Sequence, residues 1–286
     1  MTLFDAPTVL VQGITGRHGA FHAKGMLEAG TNIVAGVTPG KAGEKIHGLP
    51  VYSSVADART THPELDTSVV FVPAAFAKNA VTEAIDAGIR QVIVITEGIP
   101  VHDALKIHEY AAAHDVTLVG PNCPGLIVPS SHKLGIIAAH ITKQGRTAII
   151  SRSGTLTYEL ADALTKKGIG QSIIIGIGGD PVPGMNFVEA LELVQAHEGT
   201  DQIIMVGEIG GTSEQIAADY IAKQVTKPVY GLVVGHSAPA GQTFGHAGAI
   251  IGTDAESAKA KTDYLSAAGL RMTSTLDELI ALIATP

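Results

Sequence analysis

The chain has 286 residues, 16% of them charged, with 33 glycines and a formal net charge of −8. That length favours two domains and is enough to bury sizeable cores without disulfides or a structural metal. An acidic chain with six Tyr, six Phe and no Trp has neither the basic face nor the stacking platform of a nucleic-acid binder, and no run approaches the roughly 18–20 apolar residues of a membrane span.

The first residues, Met1-Thr-Leu-Phe-Asp-Ala-Pro, lack the basic-then-apolar order of a secretory leader. The single cysteine, Cys123, admits no internal disulfide and reads as a small buried residue. That suits a reducing compartment: a bacterial cytoplasm, or an organellar matrix for a processed chain. A mean hydropathy of +0.28 suits compact α/β layers with buried parallel strands.

Apolar runs of strand length alternate with 3.6-period segments from the start of the chain. Strands are predicted over 8–12, 33–37, 68–71, 91–95 and 117–119, with helices over about 20–28, 79–87 and 101–114. This rhythm predicts a doubly wound first domain, residues 1–122. From Gly120-Pro-Asn-Cys-Pro-Gly125 onward the chain is dense in turn formers, and 123–145 reads as a linker. A second series has strands over 148–151, 172–177, 202–208 and 229–234 and helices over 156–167, 187–196, 214–225 and 255–268. A weak strand over 271–274 and a helix over 276–283 close a second parallel-sheet domain, 146–286. Such sheets bind ligands beyond the carboxyl ends of their strands.

After the first strand comes Gly13-Ile-Thr-Gly16-Arg-His-Gly19 and then a helix. Bare backbone N–H groups and a helix N-terminus there suit a phosphate. The spacing is G-x-x-G-x-x-G rather than the dinucleotide G-x-G-x-x-G, so an ordinary tight βα turn is the competing reading. The second strand ends in Val37-Thr-Pro-Gly-Lys41, with no carboxylate before Glu44 to accept NAD ribose hydroxyls. Lys41 suits a phosphorylated ribose instead, in CoA or NADP, or else is a solvated surface charge. A Walker A loop is absent: Gly36-Val-Thr-Pro-Gly40-Lys41-Ala has the wrong count and lacks the magnesium-holding Ser or Thr.

Of the 12 histidines, His246 stands apart, in Gly245-His-Ala-Gly248-Ala-Ile-Ile after a strand and a Pro/Gly-rich loop. Neutral imidazole is a good nucleophile toward phosphorus, and small neighbours leave room for a phosphoryl donor. A histidine that merely fills a loop is the alternative. Ser151-Arg-Ser153-Gly154-Thr155 follows a strand and opens a helix, a second anion site with Ser153 as N-cap and Gly154 allowing close approach. Glu208, at the end of a strand before Ile209-Gly-Gly211, is a carboxylate suited to orient an imidazole through its other nitrogen. No metal-ligand spacing joins these groups.

With these pieces placed, the chain from about residue 8 to 285 resembles the α subunit of succinyl-CoA synthetase (succinate–CoA ligase). The resemblance rests on Gly13-Ile-Thr-Gly16 with Gly19 and Phe21-His22, Gly36-Val-Thr-Pro-Gly-Lys41, Ile95-Thr-Glu-Gly-Ile-Pro100 and Gly120-Pro-Asn-Cys-Pro-Gly125. It continues through Ser151-Arg-Ser-Gly-Thr-Leu-Thr-Tyr-Glu159, Gly176-Ile-Gly-Gly-Asp-Pro181, Gly207-Glu-Ile-Gly-Gly211 and Gly245-His-Ala-Gly-Ala-Ile-Ile251.

The resemblance implies a Rossmann-like CoA-binding domain followed by a flavodoxin-like ligase domain. It implies a three-step ligase: phosphate converts an acyl-CoA to an acyl phosphate, a histidine takes the phosphoryl group, and a nucleoside diphosphate receives it. His246 would be the phosphohistidine, with Glu208 holding it and Ser153 and Gly154 cradling phosphate. Thr15, Gly16, Arg17 and His18 would form the CoA phosphate loop, Lys41 would pair with a CoA phosphate, and Ile95, Thr96 and Glu97 would border the thiol arm. Tyr158 would contact the organic acid. ATP or GTP, with magnesium, is expected on an ATP-grasp β subunit, in an αβ or (αβ)2 assembly.

Three places depart from the family pattern. Arg17-His18 stands where Ser-Gln is common, adding charge beside a phosphate; Ala75 replaces a usual proline near the adenine slot; and Gln242-Thr243-Phe244 replaces a basic-Arg-Met stretch. The sequence leaves three further readings open: a sister ligase for malate or another dicarboxylate, a CoA-binding regulatory module without turnover, and an NADP oxidoreductase. The second domain lends the last no support.

Overall fold

A computed structural model describes residues 2–238, 243 and 245–284. The chain divides into two compact units: Met1–Ala139 with Val182–Met185, and His140–Pro181 with Asn186–Pro286.

The first unit runs β1 (Thr8–Gln12), α1 (Arg17–Glu28), β2 (Asn32–Val37), β3 (Lys45–Ile46), β4 (Leu49–Tyr52), α2 (Val55–Thr61), β5 (Thr67–Val70), α3 (Ala74–Asp86), β6 (Gln91–Val94), α4 (Val101–Ala113), β7 (Thr117–Val119), β8 (Gly125–Val128) and β9 (His132–Gly135). β5 and β6 are buried at every position, as strands covered by helices on both faces must be. The sheet order is β3-β4-β2-β1-β5-β6-β7, parallel except where β3 meets β4. Without the short antiparallel β3, the strands stand in the Rossmann order 3-2-1-4-5-6. Leu10, Val37, Val70, Val92 and Val94 of the strands pack with Val81, Ile85 and Ile107 of the helices.

The second unit runs β10 (Gln144–Ser151), α5 (Gly154–Lys166), β11 (Gln171–Gly176), α6 (Phe187–Ala196), β12 (Gln202–Glu208), α7 (Ser213–Gln224), β13 (Val229–Val234), α8 (Ala258–Ala267), β14 (Arg271–Thr273) and α9 (Leu276–Ala284). Its strands lie in the order β14-β13-β12-β10-β11, all parallel. Counted along this unit that is 5-4-3-1-2, the flavodoxin-like order.

The structure departs from the sequence expectations in several elements. The stretch read as a linker holds the antiparallel hairpin β8–β9, paired from Gly125↔Gly135 to Val128↔His132. Its Pro129-Ser-Ser segment is the hairpin turn, with Ser130 at φ 67, and two four-residue strands are too short for period-2 counting to separate from a loop. The sequence reading also misses β3, β4 and α2. Pro50 in β4 masks a strand lying near the sheet edge, and α2 is a two-turn helix started by Ser54, whose side chain accepts from Asp57 N–H. α3 begins five residues before the predicted 79, behind Pro73. The helix predicted over 255–268 is a 3-10 turn closed by a Thr253–Glu256 capping box, then a restart capped by Ser257.

Candidate active site

In the first unit the strand order reverses between β1 and β5, and the glycine loop lies at that point. Gly13, at φ 80, donates its N–H to Val37 O at 2.8 Å, and Gly16 N–H closes back on Gly13 O at 3.0 Å. A β-carbon on Gly19 would stand 2.2 Å from Gly13 O, so the turn from strand to helix closes only over a bare α-carbon. No side chain caps α1 at Gly16, which leaves its first N–H groups for an anion.

A cavity of about 700 Å³ opens there. Its walls include Gly13, Thr15 and Gly16 of the loop, Arg17 and His18 at the start of α1, Thr38 and Pro39 after β2, residues 71–73 after β5, and Phe76, Asn79, Ala80 and Glu83 of α3. Thr15 and Thr38 meet through their hydroxyls at 3.1 Å. A mostly preformed crevice of this size, with bare amides and two basic side chains at one end, suits a phosphate-bearing ligand such as CoA.

The other CoA-contact candidates are less tightly gathered. Lys41 lies outside this lining, ion-paired with Glu44 at 3.0 Å and with its side chain 52% exposed. Ile95, Thr96 and Glu97 follow β6, also outside the lining; Thr96 donates its hydroxyl to Val72 O at 2.7 Å, which ties the segment to the cavity wall. Glu97 is exposed, as is Ala75 in the first turn of α3. His22 received no role from sequence, yet its ring stacks on cavity-lining Phe71 with centroids 5.6 Å apart and planes 8° apart. Burial, then the charges of Lys133 and His18, push the His22 pKa down to about 4.

In the second unit the order reverses between β10 and β12, and the second cluster sits at their carboxyl ends. His246 Nδ1 donates to Glu208 Oε2 at 2.7 Å; the ring is 27% exposed and the carboxylate 5%. A donated Nδ1–H puts the neutral ring's lone pair on Nε2. Arg152 Nε lies 3.2 Å from the other oxygen of Glu208. Ser153 caps α5 by accepting Leu156 N–H at 3.3 Å, and a β-carbon on Gly154 would meet only open space. Tyr158 is half-buried one turn further along α5.

The sequence reading names His246 with Glu208, whose side chains lie 2.7 Å apart, and misses what surrounds them. Glu214 and Lys261, both fully buried, form an ion pair behind Glu208. Arg152 was visible only as one residue of a motif, and a helical lysine such as Lys261 carries no signal that separates it from a solvated one. Gln242 and Phe244 lie outside the described residues. Among the described residues no group of three or more His, Cys, Asp or Glu could hold a metal ion, and no helix is long and apolar enough to cross a membrane.

Residues 5–98 match the family described as CoA binding domain, and residues 150–271 match CoA-ligase. Over 276 residues the chain is 51% identical to "Succinate--CoA ligase [ADP-forming] subunit alpha 2" of Archaeoglobus fulgidus, covering 96% of each. It is 49% identical to the corresponding alpha subunit of Methanothermobacter thermautotrophicus, covering 98% of this chain and 97% of that one. The chain belongs to the succinate–CoA ligase α-subunit family. It is a CoA-binding ligase subunit, as the matched regions show, and of α/β class, as the two strand orders show. Among solved structures, ATP citrate lyase from Methanothrix soehngenii, in complex with citrate and coenzyme A, superimposes with a TM-score of 0.90 at 27% identity. That likeness covers 99% of this chain, which spans 50% of the lyase chain.

Proposed function

We propose that the chain is the α subunit of an ADP-forming succinate–CoA ligase, holding CoA at the first unit's cavity and carrying a phosphoryl group on His246. The observation that carries this reading is the 2.7 Å bond from His246 Nδ1 to Glu208. It orients the ring, keeps the lone pair on Nε2, and offsets the positive charge the ring gains on attack. In that step the Nε2–P bond forms as the acyl-oxygen–P bond breaks, and succinate leaves with the electron pair. The Nδ1 proton stays between ring and Glu208. The phosphoryl group then passes to ADP, regenerating neutral His246.

In the same reading Arg17 and His18 add charge at the CoA phosphates, and Lys41 turns from Glu44 toward one. Ile95, Thr96 and Glu97 border the thiol arm, Tyr158 contacts the acid, and Ser153 and Gly154 at the start of α5 receive the phosphate. A helix N-terminus favours each anionic charge by ~0.3–1 kcal/mol, up to ~2 when partly buried. The nucleotide and magnesium sit on a separate β subunit of ATP-grasp type, and the pair works in the cytoplasm. The CoA-binding domain spans 1–122, extended to Ala139 by the β8–β9 hairpin, and the ligase domain spans 146–286.

The test is co-expression with the β subunit of the same genome, followed by thioester formation with succinate, malate and citrate, using ATP or GTP, and by acid-labile phosphate on His246. Succinate- and ATP-dependent turnover with label on His246 is expected. Preference for another acid would reassign the substrate, and CoA binding with neither turnover nor label would overturn the ligase mechanism.

A further inference from the structure

The Glu208 carboxylate is not fixed by its own hydrogen bonds alone. Oε2 accepts from His246, but Oε1 is buried with no hydrogen bond among the described residues, facing Arg152 Nε at 3.2 Å. Its position therefore depends on the backbone from which it extends. That backbone is gripped on both sides by one ion pair. Glu214 Oε1 accepts Glu208 N–H at 3.1 Å, while Lys261 Nζ donates to Glu208 O at 2.8 Å and to Gly210 O at 2.7 Å. Lys261 spends its third donor on Glu214 Oε2, so every ammonium proton is used in this one clasp. Gly207 makes the room: a β-carbon there would stand 2.6 Å from Glu214 Cγ.

Both partners are 0% exposed. Replacing such a buried pair by apolar side chains of similar volume is often neutral or stabilising, so stability is a poor reason for its presence. Burial pushes the Lys261 pKa down, and the charge of Glu214 pulls it back up. Ser213 Oγ donates to Glu214 Oε2 at 3.1 Å and lies 3.4 Å from Arg152 Nη1, which links the clasp to the guanidinium beside Glu208.

We infer that Glu214 and Lys261 are positioning residues for His246, acting through the Glu208 backbone at the end of β12. The inference rests on the phosphohistidine reading for its consequence in turnover, and on geometry alone for its effect on the ring. Without the clasp the end of β12 is released, Glu208 no longer meets Nδ1 in a fixed geometry, and His246 loses its single tautomer.

Two variants of the full chain test this. Glu214→Leu with Lys261→Met removes the clasp and leaves no buried charge unpaired within it; Glu214→Gln keeps the shape and weakens the grip. Nitrogen-15 NMR of the His246 ring is expected to change from the single Nδ1–H tautomer to a mixture in the double variant, and partly in Glu214→Gln. With the β subunit, phosphorylation of His246 is expected to slow by about 10- to 100-fold, as when a metal-bound histidine loses the partner that orients it, while CoA affinity stays unchanged. An unaltered ring spectrum and wild-type phosphorylation in a folded double variant would overturn the inference. If the double variant loses its thermal transition, the Glu214→Gln spectrum decides by the same criterion. Should the unsubstituted chain take no label on His246, the phosphohistidine reading falls, and the ring spectra still decide the clasp.

Discussion

Gly179 is the seat of the His246 ring: a β-carbon on it would stand 2.3 Å from Cγ and 2.4 Å from Nδ1 of the imidazole. The loop after β11 thus supports one face of the ring while Glu208 holds its edge. Gly179→Ala must push the imidazole off Glu208, and misplacing a reacting group by about 1 Å costs on the order of 100-fold in rate. Phosphorylation of His246 should fall by about that factor with CoA affinity unchanged. Quench-flow labelling beside CoA calorimetry checks both, and wild-type labelling would refute the seat.

His246→Asn retains an amide near the Nδ1 position, able to donate to Glu208, but no nucleophilic nitrogen. Thioester formation and acid-labile phosphate should both vanish, while the thermal transition and CoA affinity remain. Residual turnover above about 1% of the unsubstituted protein would exclude His246 as the obligatory carrier.

If Lys41 binds a CoA phosphate, as proposed, it must leave Glu44 to do so. The pair is exposed on both sides, and such bridges contribute only ~0.2–1 kcal/mol, so releasing it costs little beside a charge-assisted bond to phosphate of ~1.5–3 kcal/mol. Lys41→Ala should weaken CoA about tenfold at low salt, and Glu44→Gln should tighten it slightly. Both effects should shrink as salt rises. Calorimetric titration at two ionic strengths measures them, and equal CoA affinity in Lys41→Ala would place the lysine outside the site.

The two parallel sheets were legible because their strands are near-continuous apolar runs, such as residues 91–94 and 202–207, separated by helical periods. Lys45–Ile46 and Leu49–Tyr52 escaped because a two-residue strand has no period and Pro50 argues against one. At the second site, Glu208 was legible as a carboxylate at a strand end and His246 as an imidazole among small residues in a loop. Lys261 and Glu214 were not. They lie at ordinary charged positions on α8 and α7, and only the sheet brings them under Glu208. Gly179 stands within a legible motif, but the reason for it, a β-carbon that would meet an imidazole 67 residues further along the chain, exists only in three dimensions.

His22 links stability at the wall of the first unit's cavity to pH. Its folded pKa, pushed down to about 4, lies below the roughly 6.5 of an unperturbed histidine. Between those values the unfolded chain binds a proton that the folded chain refuses. The neutral ring's contribution is therefore complete above about pH 6.5, falls as the pH drops toward 4, and falls no further below that. His22→Phe keeps an aromatic partner for Phe71 and removes the titration. Its thermal stability should lose less than the unsubstituted protein's between pH 6.5 and 4.5, with the two curves running parallel above pH 7. Parallel curves across the whole range would mean that the half-buried stack on Phe71 accommodates a charged ring without penalty.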